Sequence, residues 1–490
     1  MHHSPSLKIS LILTIFFSWG VFSHAMDLDA LKSQSDQRQN SGDFKGAYEL
    51  IAQSLAAKDL SPAERRAIEF EKERLQRIEL DYSLTRDSLL VQLHRRIRNF
   101  RDEELDQWEK QSRFDLKTIN GEKKYLGASV SNLFFRHLDI RARRLNPPGV
   151  SWFREIMSLM DEAQSEGLRS QDRFVTPQRY QLKMDIVVSP NAAPAGSTIA
   201  CWMPYPVAIP SQSQIQLDST NPLKKFVSPP DGPRRSLYLE QTAVADQSAT
   251  FTATFDMTVS AIVNHLDPAA VVPYSKDSPD YAYFTREQAP HIVFTPEIRE
   301  LSEKILDGEK NPLRQARLFY EWIGENIVYS YAREYSTQRN ISQECLLNGY
   351  GDCGQEALLF MTLCRLNGIP VRWQTGWMIY DNLTNLHDWT FIYLEPHGWV
   401  PVDPYMAVMA NHEMDSFSRE DRRTVIDFYF GNLDNHRWTI NLDHSVSLTP
   451  PKLDFASDTV DFQRGELEAD GKNLYFDKWD YHLKVTKISN

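Results

Sequence analysis

Four cysteines in 490 residues, at 201, 345, 353 and 364, are far too few to staple a scaffold, so folding has to rest on ordinary hydrophobic cores. With Cys353 as a free thiol an odd number is left, which allows at most one bridge; Cys364 reads as buried apolar filler. Positive charge is also in short supply. A net charge of -12 disfavours unspecific attraction to nucleic acid or to anionic membrane surfaces, both of them polyanions. Basic runs such as Arg136 to Arg144 read as one solvated helix face. Internal repeats and low-complexity stretches are missing, and 24 % charged with 41 % hydrophobic residues excludes wholesale disorder. At roughly 100 to 200 residues per domain the chain should fold as about three units.

The start of the chain has the pattern of a targeting segment over residues 1–25: Lys8, an apolar run from Ile9 to Phe22, then Ser23-His24-Ala25 as a small-x-small cleavage site. The apolar run is short for a span of about 20 residues and is followed closely by Asp27 and Asp29. Cleavage is therefore expected before Met26, with an uncleaved anchor as the alternative. The cleavage point has no Cys to carry a lipid. The expected product is soluble, secreted or periplasmic, with no stable membrane insertion after signal removal.

Hydrophobic periodicity then divides the chain. Residues 27–145 read as a charge-rich helical module: Ser61-Pro62-Ala63-Glu64 forms a capping box with proline at the first helical position, and Ile68, Leu75, Ile78 and Tyr82 recur on one face. Asn146-Pro147-Pro148-Gly149 breaks that pattern. From Pro177 the period becomes two, with Tyr180, Leu182, Met184, Ile186 and Val188 alternating, then Phe251, Ala253, Phe255, Met257 and Val259; a β-sandwich over 175–268 follows from this. Helical spacing returns at Ala316, Phe319, Tyr320 and Ile323 and opens a catalytic unit over 285–410. A β-rich extension is expected over 411–490.

The chemistry concentrates between Gly349 and Pro404. Gly351-Asp352-Cys353-Gly354 puts a glycine-flanked cysteine where a loop becomes a helix, which Gly368 and Pro370 end. A thiol there feels the positive end of the helix dipole, which should lower its pKa, and free amides nearby can hold an oxyanion. Downstream, His387 to Leu394 reads as a strand, Glu395 to Gly398 as a turn, and Trp399 to Pro404 as an antiparallel return that brings Asp403 beside His387. Asp403 would then orient the imidazole that serves Cys353. Equal parity of positions 387 and 403 permits a shared face, although register is not fixed by sequence. Trp373, Trp377, Trp389 and Trp399 read as core, with Trp389 the best candidate for a substrate wall. His397 reads as a solvated turn residue. Zinc held by Cys, His and Asp is the rival use of these residues, but the close-set ligand pairs that zinc favours are lacking.

Cys at a helix start, then His on a strand, then Asp before Pro resembles the transglutaminase-like superfamily. Gly368-Ile369-Pro370-Val371-Arg372 is similar to that family's "GIPxR" step, Gly398 to Pro404 to its "GWxxVDP", and Phe319 to Tyr329 to the helix before the nucleophile. Met203-Pro204-Tyr205-Pro206 more loosely resembles the β-domain that precedes the core in some bacterial members. The resemblance implies an α+β chain with a papain-like core, a catalytic set of Cys353, His387 and Asp403, no cofactor and no metal, and a peptide, protein or other amide as substrate. Gly354 and Asp388 depart from the aromatic and the alanine that the family often has after its Cys and His, which touches the acyl-acceptor side. Tyr329 and Tyr331 are candidate second oxyanion donors. The expected reaction is hydrolysis of an amide through a thioester; transamidation by the same residues and a non-catalytic binding module are the alternatives.

Overall fold

The computed structural model describes residues 27–488; the targeting segment expected over 1–25 lies outside the described residues. Two compact units divide the chain: one takes the chain up to Glu73 together with Ile119–Gly121, the other Arg74–Thr118 and everything from Glu122. In the first, helices Leu28–Asn40 and Phe44–Leu55 start at Asp27 and Asp43, whose carboxylates accept from the amides of Ala30 and Gly46 and satisfy donors that a helix start leaves unpaired. Phe44, Ala47, Ile51 and Ile68 are buried there. Among the described residues no helix is long and apolar enough to cross a membrane.

In the second unit two sheets close on one apolar core. The first has the order Trp479–Ile488, Phe174–Val188, Ala249–Ile262, Gln212–Asn221; the second runs Lys472–Asn473, Glu466–Ala469, Thr198–Pro204, Ser236–Thr242, Phe226–Val227. Period-two alternation explains the first: Leu182 faces Phe255 and Met184 faces Ala253 across the ladder, with the apolar set buried against Cys201, Met203 and Leu239 of the second. The strands near the C-terminus belong to these sheets rather than to a separate extension. Leu483 pairs with Met184, and Leu467 with Cys201.

The third sheet holds His387 on its strand Thr384–Leu394. Its order is Gly398–Val402, Thr384–Leu394, Val371–Ile379, Arg437–Asn441, all antiparallel. The last strand lies beyond residue 410, so the catalytic unit reaches further along the chain than its helical and strand spacing suggest. Helix Cys353–Leu366 packs against this sheet and is buried from Gly354 to Arg365, with Gln355, Glu356, Thr362 and Arg365 buried among its apolar residues. Each leucine fully buried there contributes about 1.5–3 kcal/mol. A bulge sits between Thr375 and Gly376. A side chain on Gly376 would collide with the Trp438 carbonyl, so glycine permits the two strands to approach beside His387, its ladder partner.

Candidate active site

Asp352 caps the helix that begins with Cys353: its carboxylate accepts from the Gln355 amide at 3.1 Å, while Gln355 Oε1 accepts from the Asp352 amide at 3.2 Å. The Tyr335 hydroxyl donates to Asp352 at 2.6 Å. Cys353 is half-buried, and the two-residue strand Val328–Tyr329 pairs with Tyr350–Gly351 just before it. This sets Tyr329 beside the nucleophile loop.

The hairpin places His387 beside Asp403. Thr390 stands opposite Val402, so the next step along the ladder sets Asp403 on the face of Trp389, which His387 shares. His387 Nε2 lies 2.7 Å from Asp403 Oδ2. The ring is held between the Trp389 indole, stacked with centroids 5.8 Å apart, and the edge-on Tyr405 at 5.4 Å. Trp389 is fully buried and donates from Nε1 to Gln374 at 2.8 Å; it supports the imidazole instead of walling a substrate. Asp403 in turn accepts from Arg437 Nη1 at 2.8 Å, and Arg437 Nε donates to Asp434 at 3.1 Å. Burial alone would raise the Asp403 carboxyl, but His387 and Arg437 outweigh it and hold it below the usual range.

A cleft of about 390 Å³ has Cys353, His387, Tyr329, Tyr331 and Tyr405 in its lining. The structure thus brings Cys353 and His387 to one cavity and bonds His387 to Asp403. With Nε2 turned to Asp403, Nδ1 is the ring nitrogen left for the thiol side.

Asp388 was not among the residues the motif singles out for chemistry. The Cys353 thiol donates to Asp388 Oδ2 at 3.4 Å, and Asp388 Oδ1 accepts from Gln463 Nε2 at 2.9 Å. Gln463 also donates to the His387 carbonyl at 2.9 Å and to Thr375 Oγ1. A side chain on Gly354 would collide with the Tyr335 hydroxyl and fall 2.8 Å from Asp388 Oδ2. Glycine at 354 makes room for these protein groups.

These neighbours reverse the expected ionisation of the thiol. Burial first, then the Asp388 and Asp352 carboxylates, push the Cys353 thiol well above its ordinary value, with the Asp388 amide pulling the other way. A helix terminus offers typically 0.3–1 kcal/mol, too little against two carboxylates and desolvation. Asp388 itself is pushed up to about 8, by burial first and then by Asp352 and Asp458. Burial lowers the His387 imidazole despite Asp403. The resting pair is therefore a neutral thiol and a neutral imidazole.

The basic run is not one solvated face either. The helix Ser129–Arg136 ends at His137 and a short helix Leu138–Arg141 follows. Arg136 pairs with Asp115 at 2.7 Å, while Arg141 and Arg144 line the cleft.

Residues 299–404 match the family model of the transglutaminase-like superfamily core, and Cys353, His387 and Asp403 all fall inside that span. An uncharacterized protein of Haemophilus influenzae is 27 % identical over 221 residues, 40 % of this chain; the chain spans 58 % of that relative's length. Among solved structures, a "Putative Cysteine Protease" from Cytophaga hutchinsonii aligns with 65 % of this chain and 93 % of its own at 16 % identity and a TM-score of 0.42. The periplasmic domain of TgpA from Pseudomonas aeruginosa aligns with 52 % of this chain and 98 % of its own at 11 % identity and a TM-score of 0.24. Over residues 299–404 the chain carries a core of the transglutaminase-like superfamily.

Proposed function

We propose that this protein is an exported cysteine-dependent acyl-transfer enzyme that hydrolyses an amide or peptide bond through Cys353, His387 and Asp403. The observation that carries the reading is the 2.7 Å bond from His387 to Asp403 behind a cleft that His387 shares with Cys353. Starting from neutral partners, Cys353 Sγ attacks the amide carbonyl carbon as its proton passes to His387. The oxyanion collapses, the C–N bond breaks, and the amine leaves with the proton from His387, which leaves a thioester on the sulfur. Water then attacks the thioester with His387 as base, and the acid and the free thiol are released. Asp403 fixes the imidazole tautomer and stabilises the imidazolium in both halves.

The apolar run before Ser23-His24-Ala25 supports export to the periplasm or the medium, where abundant water favours hydrolysis over transfer to an amine. A panel of N-acyl amino acid p-nitroanilides, with and without dansylcadaverine as acceptor, tests the reaction. Turnover that vanishes in Cys353→Ala is expected, with release of free acid exceeding dansyl incorporation. Equal turnover in wild type and variant would remove Cys353 from the chemistry, and dominant dansyl incorporation would make the protein a transamidase.

A further inference from the structure

Part of the cleft wall comes from the segment around Phe134 and Arg144. Arg144 lines the same cavity as Cys353 and His387, and its guanidinium lies 4.8 Å from the centroid of the Phe134 ring, which lines it too. The Arg96 guanidinium packs on the same ring at 5.2 Å. A cation against an aromatic face accounts for one guanidinium. Two like charges on one ring repel.

Among the described residues nothing offsets them. The charges that Arg144 feels are those of Arg96 and Arg141, both like in sign, and the Tyr331 phenol; among the described residues no carboxylate lies within ion-pair distance of Arg144 or Arg96. Arg96 Nη1 donates only to a neutral group, Ser131 Oγ, at 3.2 Å. The two acids of the cleft do not fill the gap. Asp415 is taken by Arg141 at 3.1 Å, and burial keeps Glu413 protonated up to about 8. Tyr331, 43 % exposed at this wall, is fixed by backbone bonds to the Asn132 side chain at 2.9 and 3.0 Å.

We propose that this end of the cleft is a subsite for a carboxylate of the acyl-transfer substrate, bound by the Arg144 guanidinium with Arg96 reinforcing its charge. Arginine suits the task, since its planar fork matches the two oxygens of a carboxylate. The inference rests on Cys353 being the nucleophile and adds to that reading the charge of what it attacks. A free carboxylate occurs both at a peptide end and on an acidic side chain.

Thiol-directed probes separate these points in the full-length chain. N-bromoacetyl derivatives of glycine, β-alanine, 4-aminobutyrate and 6-aminohexanoate would be compared with their carboxamides, reading the rate of Cys353 alkylation by peptide mass spectrometry. At one or more chain lengths the carboxylate should react about tenfold faster or more, the worth of a charge-assisted bond. That ratio should fall to about one in Arg144→Gln and to an intermediate value in Arg144→Lys, which keeps the charge without the fork. Reaction of Arg144→Gln with the carboxamide shows that the variant is folded and its thiol reachable. N-bromoacetyl-glutamate amidated at either the α or the γ carboxyl then tells a terminal from a side-chain carboxylate. Equal rates for acid and amide in the wild type, or a ratio indifferent to Arg144→Gln, overturn the subsite and leave the nucleophile standing. Failure of every probe to reach Cys353 overturns both.

Discussion

Cys353 Sγ and Asp388 Oδ2 stand 3.4 Å apart, so the candidate nucleophile donates to a carboxyl from the residue next to its own base. A carboxylate at that distance opposes formation of a thiolate, and the thiol in turn favours the charged form of Asp388.

Asp388→Asn removes the charge and keeps the shape. The pH midpoint for iodoacetamide alkylation of Cys353 should move down by about one pH unit or more, because the thiolate no longer forms beside an anion. Rates measured between pH 5 and 10 check this; superimposable profiles would mean that Asp388 does not govern the thiol.

Gly354→Ala drives a methyl group into the space held by the Tyr335 hydroxyl and Asp388. The Tyr335 bond to the helix-capping Asp352 should be lost with it, at about 1–3 kcal/mol for a buried partner left unpaired. Urea unfolding reads the loss, and stability within 0.5 kcal/mol of wild type would show that the helix start accommodates the methyl.

Much of the site was legible because its signals are local. The glycine-flanked Cys353 and the helix stop at Gly368 lie within one stretch, and the hairpin from His387 to Asp403 is closed by a short turn. Equal parity only permitted His387 and Asp403 to share a face; the register, with Thr390 opposite Val402, is what puts them there. Arg437 gave no such sign. It holds Asp403 from a strand 34 residues downstream, and nothing in its neighbourhood distinguishes it from any strand arginine. The strands around Leu467 and Leu483 alternate legibly, but alternation does not name a partner, and theirs lie near Cys201 and Met184. The thiol pKa was misjudged for a related reason: the helix start is visible in sequence, whereas the carboxylates gathered by folding are not.

Arg437→Gln should destabilise the protein by about 3–5 kcal/mol, the usual consequence of removing one member of a buried ion pair, since Asp403 and Asp434 are both fully buried around it. The shift of the urea midpoint at constant slope measures this. A loss below 1 kcal/mol would mean that the two aspartates find other partners.

Between pH 6.5 and 8 stability should fall as pH rises. Burial raises Asp388 and Glu413 to about 8, while in the unfolded chain such carboxyls ionise near 4. Their contribution is full below about 4 and is lost as pH climbs through about 8. Burial lowers His291 and His436 to about 4; their contribution is full above about 6.5 and fades only as pH falls. In the upper window these two carboxyls, together with Asp81, which burial raises to about 7, set the slope, about 1.4 kcal/mol per pH unit for each retained proton. Urea unfolding at pH 6.5, 7.2 and 8 checks the sign, and Glu413→Gln should flatten it. Stability rising over this window would contradict the protonated state of both groups.

The acyl-enzyme itself is the most direct object to measure. Full-length protein would be mixed with an activated N-acyl thioester, quenched in acid within seconds, and weighed intact. The expected result is a mass gain equal to the acyl group, mapped to Cys353, released by hydroxylamine, absent in Cys353→Ala and slowed about 10²–10⁴-fold in His387→Ala, as for loss of a positioned general base. An acyl group that accumulates equally in Cys353→Ala, or none in the wild type across acidic and neutral acyl donors, would contradict a nucleophilic role for Cys353.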